Sequence, residues 1–162
     1  GNFKLTDNVD SPEMYYLTFD GNTTNKSILF FGNEGTITIN DVNNITGNSD
    51  YASIRLGTVS KNLNIKADYG SIKIKELARG FDKVEITSEY AGITIGTRTS
   101  NNFNFEMDLQ YSSFRYNDDN VELFKSIEKG SKKHYEGVYG KGKSTSRLII
   151  KSQYGGVNLK EL

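Results

Sequence analysis

Ala67-Asp68-Tyr69-Gly70-Ser71-Ile72-Lys73-Ile74 is the stretch that decides the fold of this chain. It holds a tyrosine, two small residues, and then apolar, polar and apolar positions in turn. The same pattern returns without gaps at Ser49–Leu56, Ser88–Ile95, Leu109–Tyr116 and Ser152–Leu159, centred on Tyr51, Tyr90, Tyr111 and Tyr154. Ahead of each tyrosine runs a second alternating stretch, such as Leu63/Ile65/Ala67, Val84/Ile86/Ser88 or Leu148/Ile150/Ser152. Strict apolar–polar alternation is the period of a half-buried strand. Each unit therefore reads as strand, tyrosine, small-small break, strand. Across the break the parity shifts by one, since Tyr69 continues the phase of Leu63 and Ile65 while Ile72 and Ile74 do not. Keeping both runs on one core requires a corner there, which Gly, Ala and Ser tolerate.

The tyrosines are 18, 21, 21 and 43 residues apart, and a step near 21 suits one coil of a β-solenoid. The 43-residue gap spans two steps, so a degenerate copy is expected at Tyr135-Glu136-Gly137-Val138; an eroded one is expected at Glu34–Ile39. Residues 117–147 depart from the pattern as an irregular insertion or degenerate coil, in which Asp118-Asp119-Asn120 suggests a helix cap before Val121, Phe124 and Ile127, with Lys129 and Gly130 closing it. The expected fold is a single all-β domain over residues 1–162: a single-stranded β-solenoid, or β-helix, of about 21-residue coils. The alternative is an antiparallel β-meander or barrel with each tyrosine at a hairpin turn. Tyr51-Ala52 and Tyr90-Ala91 suit such turns poorly, because tight hairpins favour Asn-Gly or Asp-Gly. Sharing the phase of aliphatic residues, Tyr51, Tyr69, Tyr90, Tyr111 and Tyr154 are expected to form a buried structural ladder rather than a ligand platform.

Composition narrows the function classes. The chain has 162 residues, with 20 basic and 20 acidic side chains, so the net charge is zero and the basic excess of a nucleic-acid binder is missing. With no cysteine, disulfides, Cys metal sites and Cys nucleophiles are excluded. No apolar run reaches the roughly 18 residues of a membrane-spanning helix. Gly1 before Asn2 reads as the scar of a cleaved tag, so a signal peptide is expected to have preceded it.

Candidate sites are weighed in the same way. His134 is the single histidine and sits among Lys132, Lys133 and Tyr135, the setting of a solvated loop residue. The residues before each tyrosine, Asp50, Asp68, Glu89, Gln110 and Gln153, would lie in one row if coils stack. Three carboxylates there could hold calcium, but outward positions are polar by default and two members are amides. A second row, Arg55, Lys73, Thr94, Arg115 and Asn158, is expected to compensate the first across strands. No nucleophile elbow, P-loop or dinucleotide fingerprint occurs. The expectation is no catalytic, cofactor-binding or metal residue, and no cofactor.

The units Ala67–Ile72, Tyr111–Tyr116, Lys133–Gly137 and Ser152–Val157 resemble the "putative adhesin" family of Gram-negative gut bacteria, secreted β-solenoid domains. The resemblance runs from about residue 45 to the C-terminus. It implies a non-enzymatic cell-envelope or secreted protein serving as an adhesin or a structural or binding module, and it carries no catalytic residues over. The partners implied are a surface ligand, glycan or protein, with end-to-end self-association as a further option and no nucleic acid. The competing class is a polysaccharide-active enzyme on a β-helix scaffold. A third is a pure assembly module.

Overall fold

The computed structural model describes residues 16–19, 23–32 and 35–162, and these are almost wholly β. In chain order the strands are β1 (Tyr16–Phe19), β2 (Thr23–Gly32), β3 (Gly35–Asp50), β4 (Ala52–Leu77), β5 (Lys83–Thr97), β6 (Phe103–Gln110), β7 (Phe114–Arg115), β8 (Val121–Lys129), β9 (Lys132–Tyr139), β10 (Arg147–Gln153) and β11 (Val157–Glu161). They belong to one open sheet ordered β1-β3-β4-β5-β10-β6-β9-β8, with β2 beside β3, and with β11 beside both β5 and β7.

Two pairing modes coexist. From β1 to β5 successive passes of the chain pair in parallel, with a register slip between Val42 and Asn44. Gly35 meets Ala52 and Asn44 meets Asn62, steps of 17 and 18 residues, and Asn62 meets Lys83, a step of 21. The three added residues sit in the turn after Leu77, where they carry Phe81 into the core against Phe103, with ring centroids 5.4 Å apart. In the second mode β9 runs antiparallel to both β6 and β8.

Alternation decides what is buried. Leu63/Ile65/Ala67, Val84/Ile86 and Leu148/Ile150 all point into one apolar core with Ile72/Ile74, Ile93/Ile95 and Val157/Leu159. The parity shift noted in the sequence is thus a corner that returns both runs to the same interior. The eroded copy falls into place as well: Gly35–Ile39 pairs residue for residue with Ala52–Leu56, although Glu34 itself lies outside the described residues.

Residues 117–147 differ from expectation. Asp118–Asn120 is one 3-10 turn, capped by the Asn117 side chain accepting from the Asp119 amide at 3.2 Å. The chain then enters strand β8 instead of a helix, and Gly130, with a φ of 58°, turns it into β9. Tyr135-Glu136-Gly137-Val138 is accordingly no coil copy. It lies in the hairpin's second strand, where Tyr135 packs inward and Gly137 sits under the Phe105 ring; a Cβ there would stand 2.3 Å from the Glu122 carbonyl oxygen.

The hairpin occupies the far side of β6 and leaves its near side free. β10 fills that side, pairing in parallel with β5 and β6 at once. The last tyrosine unit is therefore inserted between earlier ones, and the 43-residue gap contains no further unit of its own. Asn102 and Asn104 anchor the crossover, donating to the carbonyls of Lys141, Lys143 and Ser144 at 2.8–3.3 Å. Asn101, in the turn between β5 and β6, is buried and donates to the Leu77 carbonyl and the Thr97 hydroxyl. No helix of the described residues is long and apolar enough to cross a membrane.

Candidate functional site

Each corner is made by its tyrosine. Tyr51, Tyr69, Tyr90, Tyr111 and Tyr154 all have φ between 51° and 56°, the left-handed region that side-chain-bearing residues rarely occupy. The unusual backbone keeps its hydrogen bonds, since the Tyr51 and Tyr154 amides donate to the carbonyls of Asp68 and Gln110 at 2.8 and 2.9 Å. The left-handed turn also reverses the side chain. The expected burial of the five tyrosines is thus corrected: at positive φ each ring leaves the inward phase of its strand and projects outside the sheet.

Outside, the rings stack in the order Tyr51, Tyr69, Tyr90, Tyr154, Tyr111, following space rather than sequence because β10 is inserted. Successive centroids are 4.7–4.9 Å apart and the planes are within 5° of parallel. That separation is the interstrand spacing of a sheet, so the scaffold sets the row. The three inner rings are 43–45% exposed, whereas the terminal Tyr51 and Tyr111 reach 65% and 59%. Inner rings are covered on both faces and end rings on one. The row presents ring edges and hydroxyls to solvent, with an open aromatic face only at its ends. Desolvation between its neighbours, reinforced by Tyr154, Tyr69 and Glu89, raises the Tyr90 hydroxyl above its ordinary value and keeps it a neutral donor.

Beside the rings the preceding residues form the row expected from the sequence, now extended by the hairpin. Asp50, Asp68, Glu89, Gln153, Gln110, Lys132 and Lys129 are successive register partners. Charge along it runs from three carboxylates through two amides to two ammonium groups. The expected compensation by Arg55, Lys73 and Arg115 does not occur: among the described residues no ion pair joins them to Asp50, Asp68 or Glu89. The two rows lie on opposite arms of the tyrosine corner. A groove of 480 Å³ runs over the amides and toward the hairpin, where Ile127, Lys129 and Lys132 bound it. A second hollow of 290 Å³ lies by the end of the stack, between Tyr111, Ser131, Lys133 and Tyr154.

His134 is placed on β9 rather than in a loop. Its Nδ1 lies 2.7 Å from Asp108 Oδ1 and its Nε2 2.7 Å from Glu136 Oε1. Only the doubly protonated imidazolium donates to both. The Glu136 hydrogen bond first, then that to Asp108, raises its affinity for a proton. Glu136 is held below its ordinary range by Lys125, at 2.7 Å, and then by His134. Glu106, Asp108 and His134 bring three ligand-capable atoms within 4.8 Å of one another. A metal ion would displace protons that these short bonds already use, so the donor set fits an ion-pair clamp between β6 and β9 better than a metal centre. The sequence does not suggest this clamp, because residues 26 apart meet only through the antiparallel register.

A family model described as "Domain of unknown function (DUF4369)" matches residues 1–134, most of the chain, which makes this protein a member of that family. No curated protein matches the sequence. A similar fold is found in the crystal structure of a "putative cell adhesion protein" from Clostridium sporogenes ATCC 15579, with a TM-score of 0.52 and 15% identity over 80% of this chain. The match covers 57% of that protein's own length.

Proposed function

We propose that this member of the DUF4369 family is a non-catalytic binding module of the cell envelope: a β-solenoid that makes multivalent, adhesive contact through its tyrosine-lined flank. The solenoid reading draws support from the parallel, in-register pairing of passes 17 to 21 residues apart. Placement at the cell surface draws on the adhesion designation of the structural neighbour. Its specific kinship with the adhesins of gut bacteria rests on the tyrosine units themselves.

One observation carries the functional reading. Five bulky residues hold a left-handed backbone that Gly or Asn would adopt at less cost, and all five expose their rings in one row. Such strain points toward function when it recurs at an exposed site. A rigid strip with a fixed repeat suits many weak contacts to an extended partner better than chemistry in a pocket. The non-catalytic reading also fits the spent state of His134, whose two nitrogens are both committed to carboxylates.

The test replaces Tyr90, the middle ring of the row, by Asn, which tolerates the left-handed conformation. The parent is expected to bind members of a glycan array and a panel of extracellular-matrix proteins. The variant, with unchanged circular dichroism, is expected to lose that binding. A folded variant that binds as the parent does would sink the proposal.

A further inference from the structure

The groove beside the tyrosines has a polarity that the neutral chain as a whole lacks. Lys129, Lys132 and Lys151 are exposed on it, and none makes an ion pair with a described residue. The anions nearby are mostly engaged: Asp68 with Lys66 at 3.3 Å, and Asp108 with His134 at 2.7 Å. Lys129 and Lys132 thus stand at the hairpin end of the groove, and Lys151 on β10, between Thr87 and Asp108, adds a third free ammonium group to a middle that is otherwise amide and hydroxyl, from Gln153, Gln110 and Thr87. Its volume of 480 Å³ lies within the ordinary range of ligand sites. Tyr111, the ring stacked on one face only, closes the row at that end, its amide bonded to the Ser131 carbonyl of the hairpin turn at 2.9 Å.

We propose that this groove binds an extended, carboxylate-bearing polysaccharide, seating uronate groups at Lys129, Lys132 and Lys151 and neutral sugar hydroxyls at Gln110, Gln153 and Thr87. This rests on the binding-module reading above and names its ligand class. Charge complementarity selects an anion at the hairpin end. The amides, each both donor and acceptor, match hydroxyls in the middle. The carboxylates of Asp50 and Glu89 at the far end, which no ion pair among the described residues neutralises, reject a polymer charged at every unit. A nucleic acid is such a polymer, and it would also find the inner ring faces covered and unable to stack its bases. A polysaccharide with spaced uronates can place its charges at the hairpin end and at Lys151 while keeping them away from the carboxylate end.

The experiment measures binding of the full chain to a polysaccharide with spaced uronates (xanthan), to neutral dextran and to a thymidine oligonucleotide by calorimetry at two salt concentrations. Parent protein is expected to prefer xanthan and to weaken as salt screens the contacts. The triple variant Lys129→Gln, Lys132→Gln, Lys151→Gln changes only exposed side chains, and it should bind xanthan about tenfold more weakly or worse. Equal affinity of parent and triple variant would overturn the groove, as would tighter binding of dextran or of the oligonucleotide. The two readings fail differently. If glycans bind and only the Tyr→Asn variant loses them, the groove is wrong and the binding module stands. If no carbohydrate or matrix protein binds the parent, both fall.

Discussion

Tyr69 offers the sharpest test of the corner, because there the usual ranking of Ala over Gly should invert. Its ring stacks on Tyr51 at 4.8 Å and on Tyr90 at 4.9 Å, and it is 43% exposed. Removing two aromatic contacts costs about 0.5–1.5 kcal/mol each. Roughly half of a tyrosine's area, about 100 Å², returns to water, which adds about 2.5 kcal/mol as an upper estimate. Tyr69→Ala should therefore lose about 3–5 kcal/mol while keeping the left-handed strain, since alanine has a Cβ. Tyr69→Gly makes the same losses but relieves about 1–2 kcal/mol of that strain. Against this stands about 0.5–1 kcal/mol for glycine's greater freedom when unfolded. The glycine variant should come out more stable than the alanine variant by about 0.5–1 kcal/mol. At Lys73, an outward position of ordinary strand, alanine should win by about the same amount. Urea melts followed by circular dichroism and tyrosine fluorescence give the four values. Alanine equal to or better than glycine at residue 69 would refute the left-handed corner, and a Tyr69→Ala protein as stable as its parent would refute the stabilising stack.

The clamp at His134 predicts a pH dependence. Its proton affinity is raised on folding, so its contribution is fully present below the ordinary value of 6.5 and is lost as pH rises through the higher folded value. Glu136 is shifted the other way, so its contribution is present above its ordinary 4.5 and fades as pH falls through the lower folded value. The urea midpoint should be highest between these limits, and His134→Gln should flatten the alkaline side; an unchanged slope there would count against the clamp. Gly137→Ala should destabilise the hairpin by about 1–3 kcal/mol, because its Cβ would meet the Glu122 carbonyl oxygen at 2.3 Å and the Phe105 ring at 2.7 Å. Limited proteolysis should then cut β8 and β9 first, and a protease-resistant variant would show that the close approach is relieved without cost.

Much of this arrangement can be read from residue order, and the limits of that reading are physical. Alternation in Leu63/Ile65/Ala67 and Ile72/Ile74 marks both arms of a corner, and the steps of 18 and 21 residues from Tyr51 to Tyr90 mark their pairing. The same alternation misplaces the tyrosines, because parity counting assumes negative φ and one left-handed residue inverts it. The small residues after each tyrosine are the available signal: a bulky residue before Gly70 or Ala52 can turn back where chains approach closely, and a Cβ on Gly70 would stand 2.2 Å from the Ala52 carbonyl oxygen. The hairpin misleads for another reason. Val121, Phe124 and Ile127 have helical spacing only because Phe124 is an extra residue in a strand, where the register slips between Leu123 and Lys125. Nothing local foretells that β10 will lie between β5 and β6, or that Asp108 will meet His134, since both depend on which strand edge is left open when the hairpin folds back.

That slip also governs the end of the sheet. β8 is the last strand in the sheet order, and an edge with free backbone groups pairs with other chains unless it is blunted. Phe124 interrupts the regular spacing of its hydrogen-bonding groups, as a bulge does. Lys125, Glu128 and Lys129 add charges that a second strand would have to accommodate, and Lys125 is held at 2.7 Å on Glu136. Strand addition at β8 is therefore opposed by the same hairpin that supplies Lys129 and Lys132 to the groove. The hairpin blunts the β8 end of the sheet and adds Lys129 and Lys132 to the flank, which agrees with the proposed contact from the side, across the rings and amides.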